Sequence, residues 1–312
     1  GLQHTLKNEI SLNGIGLHSG KPTRIVLKPD SPGRGIHFVR TDLPNSPEIP
    51  ALYKNVVCTQ LATTLGVESR ESEGKYVKIS TVEHVLAALQ GLGIDNALIE
   101  VDGPEVPIMD GSSEVFCKAI LEAGTLTQLQ PRSYLVIRKK IELKLAEKWA
   151  VVEPSSGLEI QGSIDWDHPS IGYQEFFYRQ GETAFQELSS ARTFGFLKDV
   201  DALKKIGLAR GGSLENAVVL DDALVLNAEG LRFPNEFVRH KILDALGDFK
   251  LAGCSLQAHV RLHRAGHDLH VQLLKEIFSR PDHFEIVTRS DKEEKRSGLF
   301  QTALTRGFVA SW

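Results

Sequence analysis

The stretch Glu236–Leu251, EFVRHKILDALGDFKL, predicts a long amphipathic helix with a histidine, His240, near its start. A second helix is predicted over Thr81–Leu92, TVEHVLAALQGL, and it also carries a histidine, His84, near its start. When the two are aligned on these histidines, both have a glycine at the same later position, and each leads through a glycine-containing turn into a strand. The pattern is that of a duplicated unit whose copies diverged, with chance likeness as the alternative. If the repeat is real, His84 and His240 lie on related helices, and a site shared between the two halves is expected.

The composition is that of a globular protein. Hydrophobic residues are 41% of the chain and charged residues 24%. The length of 312 residues is enough for one large domain or two ordinary ones. A net charge of -4 gives no dense basic surface, so we expect no nucleic-acid partner. Three widely spaced cysteines predict neither a disulfide framework nor a Cys-rich zinc site, and favour a reducing, cytoplasmic compartment. No apolar run approaches the roughly 20 residues of a membrane span, and the N-terminus lacks a signal-peptide profile.

The chain is predicted to divide at a linker, Gly124–Arg132 (GTLTQLQPR). Residues 1–125 would form one domain and residues 133–290 a second, with an insert at about 197–219 and a tail at 291–312. The predicted strands are Arg24–Lys28, Gly35–Arg40, Ala97–Val101, Tyr134–Leu145, Trp149–Val152, Leu158–Asp165, Ala217–Leu220 and Ser255–His263. Further helices are predicted at Ser113–Ala123, Val200–Ile206 and His270–Arg280.

A metal-ligating pair is predicted on the longest helix. His240 and Asp244 are four residues apart, so they share a helix face with Cβ atoms roughly 6 Å apart. One imidazole and one carboxylate at this spacing can meet a single divalent ion, and zinc accepts both ligand types. The pattern alone is weak, because surface helices often carry His and Asp.

A second piece of chemistry lies at Ser80–His84, STVEH. Glu83 and His84 can supply a base and a ligand to one site, since a carboxylate can take the proton of a metal-bound water. The alternative is structural: Ser80 as N-cap with Glu83 three residues later is a helix capping box. From this segment alone, the capping box is the favoured interpretation.

A proton donor is predicted after the last strand. His267 lies in a Gly-containing turn after the end of the strand, from which it could protonate a leaving amine. Asp248 lies one helical turn beyond Asp244 and could orient such a histidine. A solvent-exposed loop histidine is the alternative.

The other histidines are predicted to be poor ligands. His259 and His263 share one face of a strand, but four strand residues span roughly 13 Å, so they cannot share an ion. Five more have no acidic or histidine partner at helical spacing: His18, His37, His168, His270 and His283.

Two further segments could contact a substrate. In Ser190–Phe196, SARTFGF, the Thr193 hydroxyl could donate to a developing oxyanion, with a strand carrying an inward Phe as the alternative. The insert 197–219 combines apolar residues with small ones and could leave a groove for an alkyl chain. A minor hydrophobic core is the alternative, and it is favoured on physical grounds alone.

Taken together, these segments resemble the UDP-3-O-acyl-N-acetylglucosamine deacetylase (LpxC) family. The likeness runs in order from about residue 4 to about residue 290 and rests on eight motifs. These are Gly14–Gly20 (GIGLHSG), Ser80–His84 (STVEH), Pro107–Ser112 (PIMDGS), Ala191–Phe196 (ARTFGF), Gly211–Ser213 (GGS), Glu229–Phe233 (EGLRF), Val238–Lys241 (VRHK) with Asp244, and Gly266–His267 (GH).

The resemblance implies a function and a set of roles. The function would be zinc-dependent hydrolysis of the 2-acetamido group of UDP-3-O-acyl-N-acetylglucosamine, releasing acetate, in lipid A biosynthesis. It implies that zinc is bound by His84, His240 and Asp244. The other implied roles are Glu83 as general base, His267 as general acid held by Asp248, Thr193 at the oxyanion, Lys241 at the substrate, and Phe194, Leu197, Val200, Leu203, Gly212, Ser213 and Ala217 along the acyl passage.

The implied fold is α+β, with two domains of similar topology that sandwich their helices between two sheets, each domain with a small insert. Two departures from the family are visible. The segment Gly66–Tyr76 is longer than expected, and a cysteine that the family often has within Ala62–Thr64 is absent. Neither touches the implied ligands.

Two other functions stay open on the sequence. One is a zinc hydrolase of a different acylated amine, and the other is a non-catalytic sugar or lipid binder with a structural metal. Three ligands beside an acid–base pair favour an open catalytic position, since structural zinc usually has four protein ligands. Two histidines and one carboxylate also suit Fe²⁺. A monomer is expected, while the acyl chain length and the role of residues 292–312 are left open.

Overall fold

Two β-sheets lie on either side of the helices, and helices of the two halves of the chain pack against one another between them. The structure is a computed structural model that describes residues 1–289. The predicted tail, 291–312, therefore lies outside the described residues. The α+β class expected from the sequence is confirmed.

The first half forms the smaller main sheet. Its elements in chain order are β1 (Leu2–Leu6), β2 (Ile10–Ile15), β3 (Pro22–Pro29), β4 (Ile36–Arg40), β5 (Glu48–Pro50), β6 (Val56–Cys58), β7 (Thr64–Glu68), β8 (Tyr76–Ile79), α1 (Glu83–Gly91), β9 (Ala97–Val101) and α2 (Glu114–Ala123). The main sheet has the order β2-β3-β9-β4-β5, and the insert β6-β7-β8 is a separate small sheet. The long segment noted at Gly66–Tyr76 belongs to this insert.

The second half forms the larger sheet. Its elements are β10 (Thr125–Ile137), β11 (Ile141–Leu145), β12 (Lys148–Glu153), β13 (Leu158–Trp166), β14 (Gly172–Arg179), α3 (Gln186–Ser189), β15 (Phe194–Phe196), α4 (Leu197–Lys205), β16 (Val218–Leu220), α5 (Glu236–Phe249), β17 (Ser255–His263), α6 (His267–Phe278) and β18 (Phe284–Arg289). Strands β15 and β16 pair in parallel across α4 and form this half's insert.

The two halves repeat one topology, as the paired helices predicted. In the first half β9 lies antiparallel to β3 and parallel to β4, which pairs with β5. In the second half β17 lies antiparallel to β12 and parallel to β13, which pairs with β14. In each half the main helix, α1 or α5, directly precedes the central strand. The duplicated unit is therefore present in the fold, with a different insert in each copy.

The predicted linker is wrong, because Gly124–Arg132 lies mostly within strand β10. The first part of β10 pairs with β1, and its second part pairs with β17 and β18. Gly124 and Pro131 suggested a break, but Pro131 lies where β10 changes its edge partner. The long strand predicted at Tyr134–Leu145 is instead the end of β10 and all of β11. We still propose 1–125 and 133–290 as the two domains, with β10 pairing strand β1 of the first half with the sheet of the second half.

The core follows from the periodicity of the strands and helices. Along β17, Leu256, Ala258, Val260 and Leu262 are buried, and the intervening residues are partly exposed, as the alternation predicted. Helix α1 is different, because every residue from Glu83 to Gln90 is buried. Its polar residues therefore lie inside the molecule, where they require polar partners. Within residues 1–289, no helix is long and apolar enough to cross a membrane.

Helices α1 and α5 cross closely at Gly247. A Cβ atom at this position would lie 2.0 Å from the carbonyl oxygen of Glu83 and 3.2 Å from the amide nitrogen of Ala87. Both are backbone atoms, so neither can move without shifting α1. Only glycine allows this approach, which brings the start of α1 alongside the C-terminal part of α5.

We expect Gly247→Ala to destabilise the fold by about 3 kcal/mol or more, since overpacking against backbone cannot be relieved by a side-chain rotation. It should also weaken metal binding, because the shift separates His84 from His240. Chemical denaturation and metal content measure the two effects. Gly157→Ala is the matched control, because a Cβ there would meet no atom within 4 Å. Wild-type stability in Gly247→Ala would contradict the close crossing.

Candidate active site

The first two residues of α1 carry the site's carboxylate and one of its imidazoles. The capping box favoured from the sequence does not form: the N-cap residue is Val82, and the Ser80 hydroxyl lies 2.9 Å from the hydroxyl of Thr64. Glu83 instead accepts a hydrogen bond from the backbone N–H of Thr63 at 3.1 Å. Its carboxylate is therefore directed towards the cavity and not back along the chain.

Three buried side chains form a candidate metal-binding group. Asp244 Oδ1 lies 3.4 Å from His84 Nε2 and 3.2 Å from His240 Nε2. The three ligand atoms lie within 4.8 Å of one another, a separation that one small cation can span. Among the described residues, Asp244 Oδ1 is buried without a hydrogen-bond partner. A buried anionic oxygen facing two imidazole nitrogens fits a divalent cation.

The ring of His240 is held in the orientation that a ligand needs. Its Nδ1 lies 2.9 Å from the carbonyl oxygen of Ala191 and donates to it, because a carbonyl can only accept. Nε2 is therefore the atom left free to bind a cation. Burial opposes the charge of Asp244, but the neighbouring His240 and His84 outweigh it and hold the pKa of Asp244 well below its ordinary value.

A second cluster joins the base and acid predicted from the sequence. His267 Nδ1 lies 2.7 Å from Asp248 Oδ2, and His267 Nε2 lies 3.5 Å from Glu83 Oε1. Thr63 links the two carboxylates, because its hydroxyl donates to Asp248 Oδ1 at 2.6 Å while its N–H donates to Glu83. No motif in the sequence indicates a role for Thr63, because it is 185 positions from Asp248 along the chain.

Burial and charge shift the acid and the base in a consistent direction. Burial raises the pKa of Glu83, although the nearby His267 and His84 oppose the shift. For His267, burial disfavours the imidazolium, but Asp248 and Glu83 outweigh it and raise the pKa from 6.5 to about 10. In the metal-free protein, His267 is therefore protonated at neutral pH and lies beside the ionised Asp248.

Two of the histidines lie in surroundings that differ from those predicted. His267 was expected in a turn, but it is the first residue of α6, with Gly266 as N-cap. His270 was set aside because it has no partner at helical spacing. It is fully buried, and its Nδ1 lies 2.8 Å from Asp248 Oδ2. The partner belongs to a different helix, α5, so no spacing along one helix could reveal it.

The metal group opens into a cavity of about 680 Å³ that also contains Thr193, Phe194, Lys241 and His267. The Lys241 ammonium lies 5.6 Å from the centre of the Phe194 ring and 6.0 Å from that of Trp166. Thr193 is fixed by its backbone, because its N–H donates to Gly111 and its carbonyl accepts from Val218. The cavity therefore combines a cation site, an acid–base pair, a hydroxyl and a basic side chain.

An adjoining cavity of about 330 Å³ is largely apolar and lies beneath the second insert. It shares Leu17, Leu61, Thr193 and Phe194 with the first cavity. All seven residues predicted for an acyl passage line it: Phe194, Leu197, Val200, Leu203, Gly212, Ser213 and Ala217. The structure thus brings these residues together beside the metal group.

The wall of this cavity is built from both halves of the chain. The N–H of Gly211, in the second insert, donates to the carbonyl of Leu17 at 2.8 Å. A Cβ at Gly211 would lie 2.2 Å from the carbonyl oxygen of Gly16. Glu105 is buried behind the same loop and accepts hydrogen bonds from the N–H groups of His18 and Ser19. The Gly14–Gly20 motif is therefore a docking loop for the insert.

Charged residues of the remaining motifs form a structural network that the sequence did not reveal. Arg192 and Glu236 are both buried and pair at 3.0 Å. Arg232 pairs with Asp110 at 2.8 Å, and this contact helps to hold the pKa of Asp110 below its ordinary value despite burial. These pairs tie the loops before β15 and α5 to the loop before α2.

Comparison with known proteins gives one consistent result. A family model described as UDP-3-O-acyl N-acetylglycosamine deacetylase matches residues 3–279. A relative from Myxococcus xanthus, named UDP-3-O-acyl-N-acetylglucosamine deacetylase, is 49% identical over 95% of this chain and 93% of its own. Relatives of the same name from Bdellovibrio bacteriovorus and Haemophilus influenzae are 44% and 42% identical, covering 92% and 96% of this chain and 93% and 98% of their own.

We expect Asp248→Asn to lower the pKa of His267, because it removes the negative charge that favours the imidazolium. In the metal-free wild type, His267 should stabilise the fold fully below pH 6.5, and this stabilisation should be lost as the pH rises through about 10. NMR titration of His267 and unfolding across this range would measure both effects. Asp268→Asn, which removes an exposed charge on the same helix, is the control. An unchanged pKa in Asp248→Asn would contradict the pairing.

Proposed function

We propose that this chain, which belongs to the UDP-3-O-acyl-N-acetylglucosamine deacetylase (LpxC) family, uses zinc held by His84, His240 and Asp244. The chain is a hydrolase that removes the acetyl group from the 2-amino group of UDP-3-O-acyl-N-acetylglucosamine in lipid A biosynthesis. Its family is one of metalloenzymes, and the chain has the His/Asp groups to hold an ion. The choice of zinc is our proposal, and Fe²⁺ suits the same ligands.

The observation that carries the proposal is the buried Asp244 Oδ1, which faces two imidazole nitrogens and has no hydrogen-bond partner in residues 1–289. His84, His240 and Asp244 would hold the zinc ion with three protein ligands, and the bound ion would supply a coordination position for water or substrate and make that water more acidic. Glu83 and His267 lie directly beside this group, and a purely structural metal site would have no need of such an acid–base pair. A non-catalytic binder is therefore not the function we propose.

Glu83 acts as the general base in this proposal. Its carboxylate takes a proton from the water whose oxygen bonds to the acetamide carbonyl carbon. The raised pKa caused by burial makes ionised Glu83 a stronger base than an exposed glutamate. Thr63 supports this role, because its N–H fixes one carboxylate oxygen and leaves the other 3.5 Å from His267 Nε2.

His267 acts as the general acid. When the C–N bond breaks, His267 donates its proton to the departing amine, which yields acetate and the free 2-amino sugar nucleotide. Asp248 holds the ring by Nδ1, so that Nε2 points towards the cavity. We assign Thr193 as a hydroxyl donor to the oxyanion and Lys241 as a substrate contact. Both line the cavity that holds the metal group.

The acyl chain is proposed to occupy the apolar cavity beneath the second insert. This cavity adjoins the first at Thr193 and Phe194, so one substrate could extend from the metal group into it. Each buried methylene contributes roughly 0.8 kcal/mol, so a long chain could supply much of the binding energy. This cavity separates the proposal from hydrolysis of an unrelated acylated amine.

All of the proposed groups come from one copy of the chain, which supports a monomer as the active unit. The three cysteines are free thiols, and the substrate is a nucleotide sugar. These features support a cytoplasmic location as part of the proposal.

The roles of base and ligand are separated by two substitutions. Glu83→Gln should lower the rate on the order of a hundredfold, because the base is lost, and should keep the metal. His240→Ala should lose tight metal binding and activity together. Acetate release and metal analysis measure the two quantities, with Glu122→Gln on the exposed face of α2 as a control. Full metal occupancy in His240→Ala, or a wild-type rate in Glu83→Gln, would refute the assignment.

Ala217→Trp tests the acyl passage. The indole should fill the apolar cavity, so the rate on acylated substrate should fall steeply while the poor rate on UDP-N-acetylglucosamine changes little. Ala202→Trp is the control, because Ala202 is exposed on α4 and does not line the cavity. Equal losses on both substrates would indicate a disturbed fold. No loss on either would mean that the chain binds elsewhere.

A further inference from the structure

One carboxylate oxygen in the site accepts from two histidines. Asp248 Oδ2 lies 2.7 Å from His267 Nδ1 and 2.8 Å from His270 Nδ1. Its other oxygen accepts the Thr63 hydroxyl at 2.6 Å. Asp248 and His270 are both fully buried. The carboxylate is therefore held by three donors from two separate segments of the chain, Thr63 and helix α6.

The two imidazoles on this oxygen differ in their surroundings. His267 is partly exposed to the cavity, and its Nε2 faces Glu83. His270 Nε2 is buried without a hydrogen-bond partner in the described part of the chain. A proton on that atom would be a buried donor with no acceptor, so Nδ1 is the ring nitrogen that donates, and it donates to Asp248.

His270 is rigidly held by its own neighbours. It lies one turn beyond His267 on α6, so both rings project from the same face of that helix towards α5. Its ring packs edge-to-face on Phe249, at 5.6 Å between ring centres. The His267 and His270 rings lie 6.3 Å apart and nearly perpendicular. A fixed donor at this point prevents Asp248 from rotating away from His267.

We infer that His270 is a positioning residue of the reaction: its Nδ1–H fixes the Asp248 carboxylate, which in turn aims His267 Nε2 into the cavity. The inference rests on the proposed role of His267 as the acid. His270 is not one of the three proposed zinc ligands, and it does not line the cavity into which they open. Its effect should therefore appear in turnover and not in metal or substrate binding.

Three substitutions at one position test the donor. The Asn amide nitrogen is attached at the same point as His Nδ1, so His270→Asn keeps the donor to Asp248. His270→Gln has its amide one bond further out, and His270→Leu fills the space with no donor. We expect kcat to fall tenfold to a hundredfold in the Leu and Gln variants, with KM and zinc content unchanged. His270→Asn should stay within about threefold of wild type.

Leu273→Ala is the matched control, because it opens a fully buried position on the same helix without touching Asp248. Its kcat should stay at the wild-type value under conditions where it is folded, even if its unfolding midpoint falls. If His270→Leu fails to fold, the comparison of Asn with Gln still tests the donor. A wild-type kcat in the folded Leu or Gln variant would overturn the inference, as would an equal loss in His270→Asn.

A double-mutant cycle separates this inference from the proposed function. If His270 acts through His267, His267→Ala combined with His270→Leu should be no slower than His267→Ala alone. Additive losses would show that His270 acts by another route, and would refute the inference alone. A wild-type rate in His267→Ala would instead refute the acid role, and with it the positioning of that acid.

Discussion

The close crossing of α1 and α5 at Gly247 is the contact on which the site depends. At this point the backbone of α1 occupies the space that a side chain at position 247 of α5 would need. Because the start of α1 lies against α5, His84 faces His240 and Asp244, with ring centres of the two histidines 5.0 Å apart. The repeat explains why the molecule has both α1 and α5, since each half of the chain supplies one of these helices. The metal group is thus a property of the interface between the halves.

The same crossing creates two carboxylate environments with opposite effects. Burial raises the pKa of Glu83, whereas imidazole neighbours hold the pKa values of Asp244 and Asp248 below their ordinary range despite burial. Groups whose pKa values are driven apart can take different roles at one pH. Glu83 is then suited to accept a proton, Asp244 to bind a cation, and Asp248 to orient an imidazolium. A single helix turn on α5 separates the last two.

The inserts are where the two copies of this shared framework differ. The second insert, β15 to β16, rests on the Gly14–Gly20 loop of the opposite half, where Gly211 meets Gly16 backbone to backbone. The apolar cavity therefore opens beside the metal group and not at a remote surface. Helix α4 itself has no buried residue, so its apolar residues line the cavity without forming a core. The buried hydrophobic residues within 197–219 are instead Ala209, Val218 and Val219, so the groove for an acyl chain stays a proposal.

Local sequence determined much of this protein: the two main helices, the alternation of β17, the pairing of His240 with Asp244, and the repeat, because each is a periodicity within one segment. The resemblance to the family added the catalytic and binding roles that are predicted for individual residues. Spacing along the chain gave the wrong prediction at β10, whose polar, Pro-containing start resembles a linker but pairs with β1. It also missed Thr63 and His270, whose partners lie on other elements. Only the tertiary structure decided these, because a hydrogen bond between distant segments leaves no period in the sequence, and only packing brings its two ends together.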